Sequence, residues 1–420
     1  IYGTLENNSL GISDTKELFT LEEAMAAMFA GNAVLFVDGY DRAIKIGSRG
    51  YPGSGVQKTD SEKGLRGSKE AFSESVKTNT SLIRKRIRNA KMKVEEKQVG
   101  RYSATTTALL YLDGVVYPPL CEEMRKRLDA FEVDGIEDGG MIEYLTQKKG
   151  EGRFPVYQTT ERPDRAAQAV LEGRIVLLTD NSPEALIFPA TLNSLFQTAD
   201  DYYRNERIVT FLRLIRYVAA FLALALPGLY VAAATFHTQL LPGNLIRSMA
   251  AARSGVPFPT AAEVLLMELS FELLREAGLR MPGPAGNTIG IVGGLIVGQA
   301  AVSANLVSPI TVTVAALTAL GSFSIPNEEL SEVFRLWKYG ILLLGSCFGI
   351  LGVMLGCFLL LMLMAEQESY GIPWLYPYVG GNLNEGADEK DSMFLAAARK
   401  RKRRPIFAKW GNRIRFRRKS

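Results

Sequence analysis

Two hydrophobic rhythms divide the chain. Up to about residue 205 the apolar positions come in short runs separated by polar turns. Beyond it they merge into stretches with no Asp, Glu, Lys or Arg, at 217–246, 281–327 and 339–365. A bilayer core of about 30 Å needs roughly 20 helical residues. The stretches therefore predict spans at 217–238, 286–307, 309–325 and 339–365. Ser308-Pro309 divides the long middle stretch, since Ser suits an N-cap and Pro the first helical position. Four spans place both termini on one side. Arg204, Arg207, Arg213 and Arg216 before the first span mark that side as cytoplasmic. Pro227 should kink the first span.

The short-run half predicts an α/β fold. A helix over 20–30 ends at Gly31, a strand follows at 33–37, Asp38-Gly39 turns, and a return strand occupies 43–46. The same grammar recurs 142 residues on. Pro163-Asp164 opens a helix ending at Gly173, then come a strand at 175–178, a turn at 180–183 and a return strand at 185–188. Gly31 matches Gly173, Asp38 matches Asp180 and Ala43 matches Ala185, which reads as two related helix–hairpin units in two facing subdomains. Between them the pattern predicts an amphipathic helix over 68–90, a strand over 101–112 and a helix over 120–131. Glycine turns at 50–55 and 135–140 match neither a P-loop nor a dinucleotide fingerprint.

Two helices in the apolar half carry chemistry. Over 259–280 Glu268, Glu272, Arg275 and Glu276 share one face by helical spacing, among Leu265, Leu269, Phe271 and Leu273. Such a helix cannot cross lipid alone; it either lies at the interface or lines a polar cavity against other helices. In 286–307 the small residues Gly290, Gly293, Gly294, Gly298, Ala300 and Ala301 permit close helix approach. A second stripe of Thr288, Val292, Leu295, Gln299, Val302 and Leu306 fits a pore wall with a hydrophobic constriction, or ordinary bundle packing. His237, the only histidine, is expected to satisfy a local hydrogen bond.

Charge refines the picture. The net charge is +5, but 399–420 carries twelve Lys and Arg and no acid, leaving 1–398 at −7. A basic segment soon after a span favours anionic headgroups over nucleic acid. Cys121, Cys347 and Cys357 have no metal-ligand spacing and give no disulfide framework. No metal, cofactor or nucleophile motif is visible, which argues against an enzyme. The lack of inverted repeats argues against a secondary transporter. With Ile1 in first place and no signal peptide, the sequence reads as starting inside a longer chain. The domains expected are 1–205, cytoplasmic α/β; 206–366, helical membrane; and 367–420, a basic cytoplasmic tail.

The chain resembles the A subunits of the GerA spore germination protein family over nearly its whole length. The membrane half carries the resemblance in Thr235-Phe-His237, Ala250-Ala-Ala-Arg-Ser-Gly-Val-Pro-Phe-Pro259 and Met267-Glu-Leu-Ser-Phe-Glu-Leu-Leu-Arg-Glu-Ala-Gly-Leu-Arg280. It continues in Ile291-Val-Gly-Gly-Leu-Ile-Val-Gly-Gln-Ala-Ala301, Leu306-Val-Ser-Pro309 and Ser322-Phe323. The soluble half adds Arg66-Gly67, Glu70-Ala-Phe72, Thr78-Asn79, Ile83-Arg-Lys-Arg86, Glu161-Arg-Pro-Asp164, Leu171-Glu-Gly-Arg174 and Asp200-Asp-Tyr-Tyr203. Ser68-Lys-Glu-Ala-Phe72 and 51–56 depart from the family pattern. The resemblance implies a nutrient germinant receptor in the inner membrane of bacterial endospores, with a transporter-like B subunit that binds the nutrient and a lipoprotein C subunit. It implies a homo-oligomer, a pentamer, forming a nutrient-gated cation channel. Gln299, Val302 and Leu306 are then the gate candidates, and Glu268, Glu272 and Glu276 the cation-vestibule candidates. The alternative is a non-conducting scaffold that relays the signal.

Overall fold

The computed structural model describes residues 15–29, 32–46, 59, 62, 64, 66–148, 150–279 and 284–415. The stop at Gly31, the 50–55 turn, the departures at 51–56, and Arg280 lie outside the described residues. The chain forms two compact units. One comprises 1–194, 198–207 and 368–420, and the other 195–197 and 208–367.

In the first unit, β1 (Thr15–Leu18), α1 (Leu21–Phe29), β2 (Ala33–Phe36) and β3 (Ala43–Ile46) make a three-stranded antiparallel sheet of order β1-β3-β2. Then come α2 (Val76–Arg86), β4 (Met92–Val99), β5 (Thr105–Leu112), α3 (Pro118–Asp129) and α4 (Gly139–Thr146). The first pattern returns as β6 (Gln158–Thr160), α5 (Pro163–Leu171), β7 (Ile175–Thr179) and β8 (Ala185–Phe188), within a five-stranded sheet of order β4-β5-β7-β8-β6.

The two copies share one register. Ala33 pairs Ile46 and Phe36 pairs Ala43; 142 positions later Ile175 pairs Phe188 and Leu178 pairs Ala185. The third strand obeys the same offset, with Leu18 opposite Ala43 and Thr160 opposite Ala185. Both hairpins turn through a left-handed residue at the equivalent place, Gly39 (φ +84°) and Asn181 (φ +66°), residue types that tolerate this conformation. The repeat is therefore strand–helix–strand–strand, one strand longer than the helix–hairpin read from the sequence.

The five-stranded sheet is buried on both faces, which explains why β7 and β8 read as unbroken apolar runs. Leu110, Val176, Leu178 and Ile187 face α2 and α5 through Leu82, Ile83, Ala166 and Val170. Leu109, Leu177, Leu186 and Phe188 face α3 and α4 through Leu120, Met124, Leu128 and Ile142. Two expectations shift. The helix foreseen over 68–90 is only 76–86, because Ser73 N donates to Asn79 Oδ1 at 2.8 Å and Val76 N to Asp180 Oδ1 at 3.0 Å, fixing its start. The strand expected over 101–112 begins at Thr105 and pairs along its length with β4, whose Met-Lys-Val-Glu-Glu-Lys-Gln-Val sequence lacks a sustained apolar alternation.

Of the 367–420 segment, expected as a separate tail, residues 368–415 are folded into this unit. Trp374 is wholly buried, its Nε1 donating to Pro155 O at 2.7 Å and its ring 4.9 Å from that of Phe154. Farther on, Lys409 N donates to Val115 O at 2.7 Å, and Ala408 packs so closely on Gly173 that a Cβ there would lie 2.8 Å from Ala408 Cα.

The second unit is helical: α6 (Glu206–Thr235), α7 (Gly243–Ala252), α8 (Thr260–Leu279), α9 (Pro284–Ser303), α10 (Pro309–Phe323) and α11 (Glu328–Glu366). Ser308 caps α10, accepting from Thr311 N, with Pro309 at its first position as the sequence suggested. Among the described residues two helices, α6 and α11, are long and apolar enough to cross a membrane, and α10 is a shorter apolar helix.

The four spans expected are therefore not confirmed. The span foreseen at 339–365 breaks at Gly349 (φ +62°, ψ −143°), and α11 doubles back as two antiparallel legs, 328–348 and 350–366. A Cβ on Gly352 would lie 2.0 Å from Leu344 O, and one on Gly356 would lie 2.9 Å from Ile341. In a straight helix residues 341 and 356 would be about 22 Å apart. Counting these legs, α6, α8, α9, α10 and the two halves of α11 alternate in direction. The contacts fix that sense: Val231 with Val264, Met267 with Ala301, Gly298 with Val312, and Ser331 Oγ to Ser322 O.

Candidate functional site

The acidic helix foreseen over 259–280 is α8, and it runs through the middle of the helical unit. Its polar face meets the first leg of α11 in a ladder of charge pairs. Lys338 Nζ lies 2.6 Å from Glu268 Oε2, Arg335 Nη1 bonds Glu272, and Arg275 Nη2 lies 3.6 Å from Glu328. The rungs step by one turn at a time along α8, and by one turn and then two along the antiparallel leg of α11. Glu268 and Lys338 are 2 % and 5 % exposed. Burial of such charges is tolerated only when they are paired.

The ladder forms one wall of a cavity of about 1210 Å³, with Gly294, Gly298, Gln299 and Val302 of α9 and Val312 and Ala316 of α10 on other walls. Small residues hold the walls together: Gly294 lets Phe271 approach, and Gly298 lets Val312 approach. Glu268 Oε1 is buried at this cavity without a hydrogen-bond partner. Three cations and three carboxylates line it, so its charge balances.

A second acid of α8 is structural. Glu263 is fully buried; its Oε2 accepts from Ser308 N at 2.8 Å and Thr311 Oγ1 at 3.0 Å, and its Oε1 from Arg253 Nε at 3.2 Å. It thus places a negative charge at the N-terminus of α10, where the helix dipole favours one.

Of the gate candidates, Gln299 and Val302 line the cavity. Val302 also packs against the cluster of Met267, Ala301, Val307 and Ala315. Leu306 falls beyond the end of α9, on a turn through left-handed Asn305, and is 40 % exposed. Of the vestibule candidates, Glu268 and Glu272 are engaged by Lys338 and Arg335, and Glu276 is exposed. The stripe residues Thr288, Val292 and Leu295 have side chains outside the described set. Sequence reasoning missed Arg335 and Lys338. The signal was available, because cations three apart face acids four apart, but nothing in the sequence says that the two helices are neighbours. His237 follows α6, with its ring against Gly349; a Cβ there would lie 2.8 Å from His237 Cε1. Its Nδ1 is buried without a partner, contrary to the local bond expected.

The model of the Bacillus/Clostridium GerA spore germination protein family matches residues 3–407. An uncharacterized membrane protein of Bacillus subtilis, YfkQ, is 38 % identical over 390 residues, 93 % of this chain and 75 % of that protein. Spore germination protein KA of the same organism is 36 % identical, over 88 % of this chain and 68 % of that one. Spore germination protein GerLA of Bacillus cereus is 35 % identical, over 89 % and 76 %. Among solved structures, the N-terminal domain of the A subunit of the Bacillus megaterium spore germinant receptor GerK3 aligns at 26 % identity and TM-score 0.34, over 46 % of this chain and 68 % of that one.

Proposed function

The chain belongs to the GerA spore germination protein family, and from that premise we propose that it is the A-type subunit of a nutrient germinant receptor in the inner membrane of the endospore. In this reading the apolar helices are embedded in lipid, and both termini lie on the spore-core side. The chain assembles as a pentamer with a nutrient-binding, transporter-like B subunit and a lipoprotein C subunit. The oligomer is a cation channel that nutrient opens.

The observation that carries this reading is the cavity between α8, α9, α10 and α11, a charge-paired space inside a largely apolar bundle. Ionisable residues at such depth are costly and are kept where ions or conformational switches need them. Val302 and Gln299, which line it, are the proposed constriction. Separating the ladder rungs would expose Glu268 and Glu272 to passing cations. A coupling of a few kcal/mol between nutrient and gate suffices for such a switch. The test is single-channel recording of the purified oligomer with its partners. Nutrient-dependent cation steps are expected; silence with all subunits present defeats the channel.

The pairing of Glu268 and Glu272 with cations favours one other reading, a non-conducting scaffold whose ladder changes register to relay the signal. It requires background conductance in liposomes while nutrient still alters the protein's conformation.

A further inference from the structure

The basic C-terminal segment is a folded object, and its outer face has a use of its own. Residues 402–415 form a small hairpin: Arg415 N donates to Lys402 O at 2.7 Å, Arg404 N to Arg413 O, and Arg403 stands opposite Ile414. The inner side is anchored. Phe407 and Ala408 are buried, and Asn412 Nδ2 donates to Gly114 O at 2.6 Å. Arg413 is 7 % exposed and donates to Ala408 O and Asn384 Oδ1. Trp410 and Ile414 are 63 % and 52 % exposed, and Lys402, Arg403, Lys409 and Arg415 of the same hairpin are exposed too. The Trp410 ring is held over the Arg413 guanidinium, 4.4 Å from its centroid. Residues 402–415 contain six Lys and Arg and no acid. Neighbouring acids offset two of these charges, Glu385 at 2.6 Å from Arg403 and Glu172 at 3.6 Å from Arg415.

We infer that this hairpin is a docking surface for anionic phospholipid, with Lys402, Lys409 and their neighbours on the headgroups and Trp410 and Ile414 entering the interface. An exposed tryptophan beside an exposed isoleucine costs hydration in water, yet suits the headgroup level, where amphipathic rings collect. Clustered cations gain from the negative surface potential of the inner leaflet. Nucleic acid would use the cations and the ring, but it leaves Ile414 without a role. The inference rests on the membrane reading above and is independent of channel activity.

The test uses the full chain in nanodiscs whose lipids carry bromine on the acyl chains, which quenches nearby tryptophan. Comparison with Trp410→Phe isolates the emission of Trp410, and comparison with Trp337→Phe, in α11, isolates a reporter of the helices. In discs containing phosphatidylglycerol, Trp410 emission should shift to the blue and be quenched; in phosphatidylcholine discs it should not. Lys402→Gln with Lys409→Gln should weaken docking by roughly 30-fold, since each cation near an anionic surface is worth about 1 kcal/mol. Water-exposed, unquenched Trp410 emission in both discs, beside a quenched Trp337, overturns the docking surface. An unquenched Trp337 instead overturns the membrane embedding on which it rests.

Discussion

Lys338 Nζ approaches Glu268 Oε2 to 2.6 Å across the interface of two antiparallel helices, with both side chains almost wholly buried. Lys338 ends one charge-bearing stretch of sequence, and Glu268 sits 70 residues earlier in another. The pair is the most deeply buried rung of the ladder.

Breaking that pair from one side should cost more than removing it. Lys338→Met leaves a buried carboxylate uncompensated, a loss of about 3–5 kcal/mol, whereas Glu268→Leu with Lys338→Met should be near neutral. Unfolding of the four members of the cycle in detergent measures the coupling. Additive losses would mean that the two charges act separately.

Val302 should bear on the resting state. Val302→Ala removes about 1–2 kcal/mol of packing at the cavity, enough for a shift of roughly 5- to 30-fold in a two-state equilibrium. In vesicles with the partner subunits, ions should leak at rest or the nutrient threshold should fall. A variant indistinguishable from the parent in both assays removes Val302 from the gate.

The fold-back of α11 depends on glycine. Gly352→Ala would set a methyl 2.0 Å from the Leu344 carbonyl oxygen, a backbone atom that cannot turn aside, at a cost of about 1–3 kcal/mol or more. Gly340 has nothing within 4 Å of where its Cβ would lie, so Gly340→Ala should be neutral or slightly stabilising, by up to about 1 kcal/mol. Equal melting temperatures for the two variants would argue for a straight helix.

Trp374 pins the C-terminal segment to the α/β unit. Trp374→Ala should cost about 3–5 kcal/mol and expose the lysines and arginines after 398 to trypsin. Limited proteolysis followed by mass spectrometry reads this directly. An unchanged cleavage pattern would place the anchor elsewhere, on Phe407 and Ala408.

Asp164 gives the α/β unit an acid limit. Burial alone would raise its pKa, but the bidentate Arg162 guanidinium, aided by the Tyr203 hydroxyl, holds it below the ordinary aspartate value. A folded-state pKa below the unfolded one contributes stability that is present above the unfolded value and lost as pH falls through the folded one. Asp164→Asn should therefore lower stability at neutral pH and flatten its decline below about pH 4. The comparison of unfolding midpoints at pH 7 and pH 3 checks it, and a variant with the same pH slope as the parent refutes it.

The sequence by itself determined whatever is periodic and local. It gave the split into an α/β half and an apolar helical half, the duplicated hairpin at a fixed offset, the Ser308 cap and the candidate status of Glu268. Each of these follows from side-chain spacing along one strand or helix, or from one turn. Tertiary structure alone decided who faces whom. It matched Lys338 and Arg335 to the acids of α8, folded α11 back at Gly349, gave the repeat its third strand and drew the basic segment onto the α/β unit. Those outcomes depend on contacts between residues tens to hundreds of positions apart. A run of apolar residues specifies that a helix must be buried, but carries no record of which neighbour buries it or of where a glycine must yield to let that neighbour in.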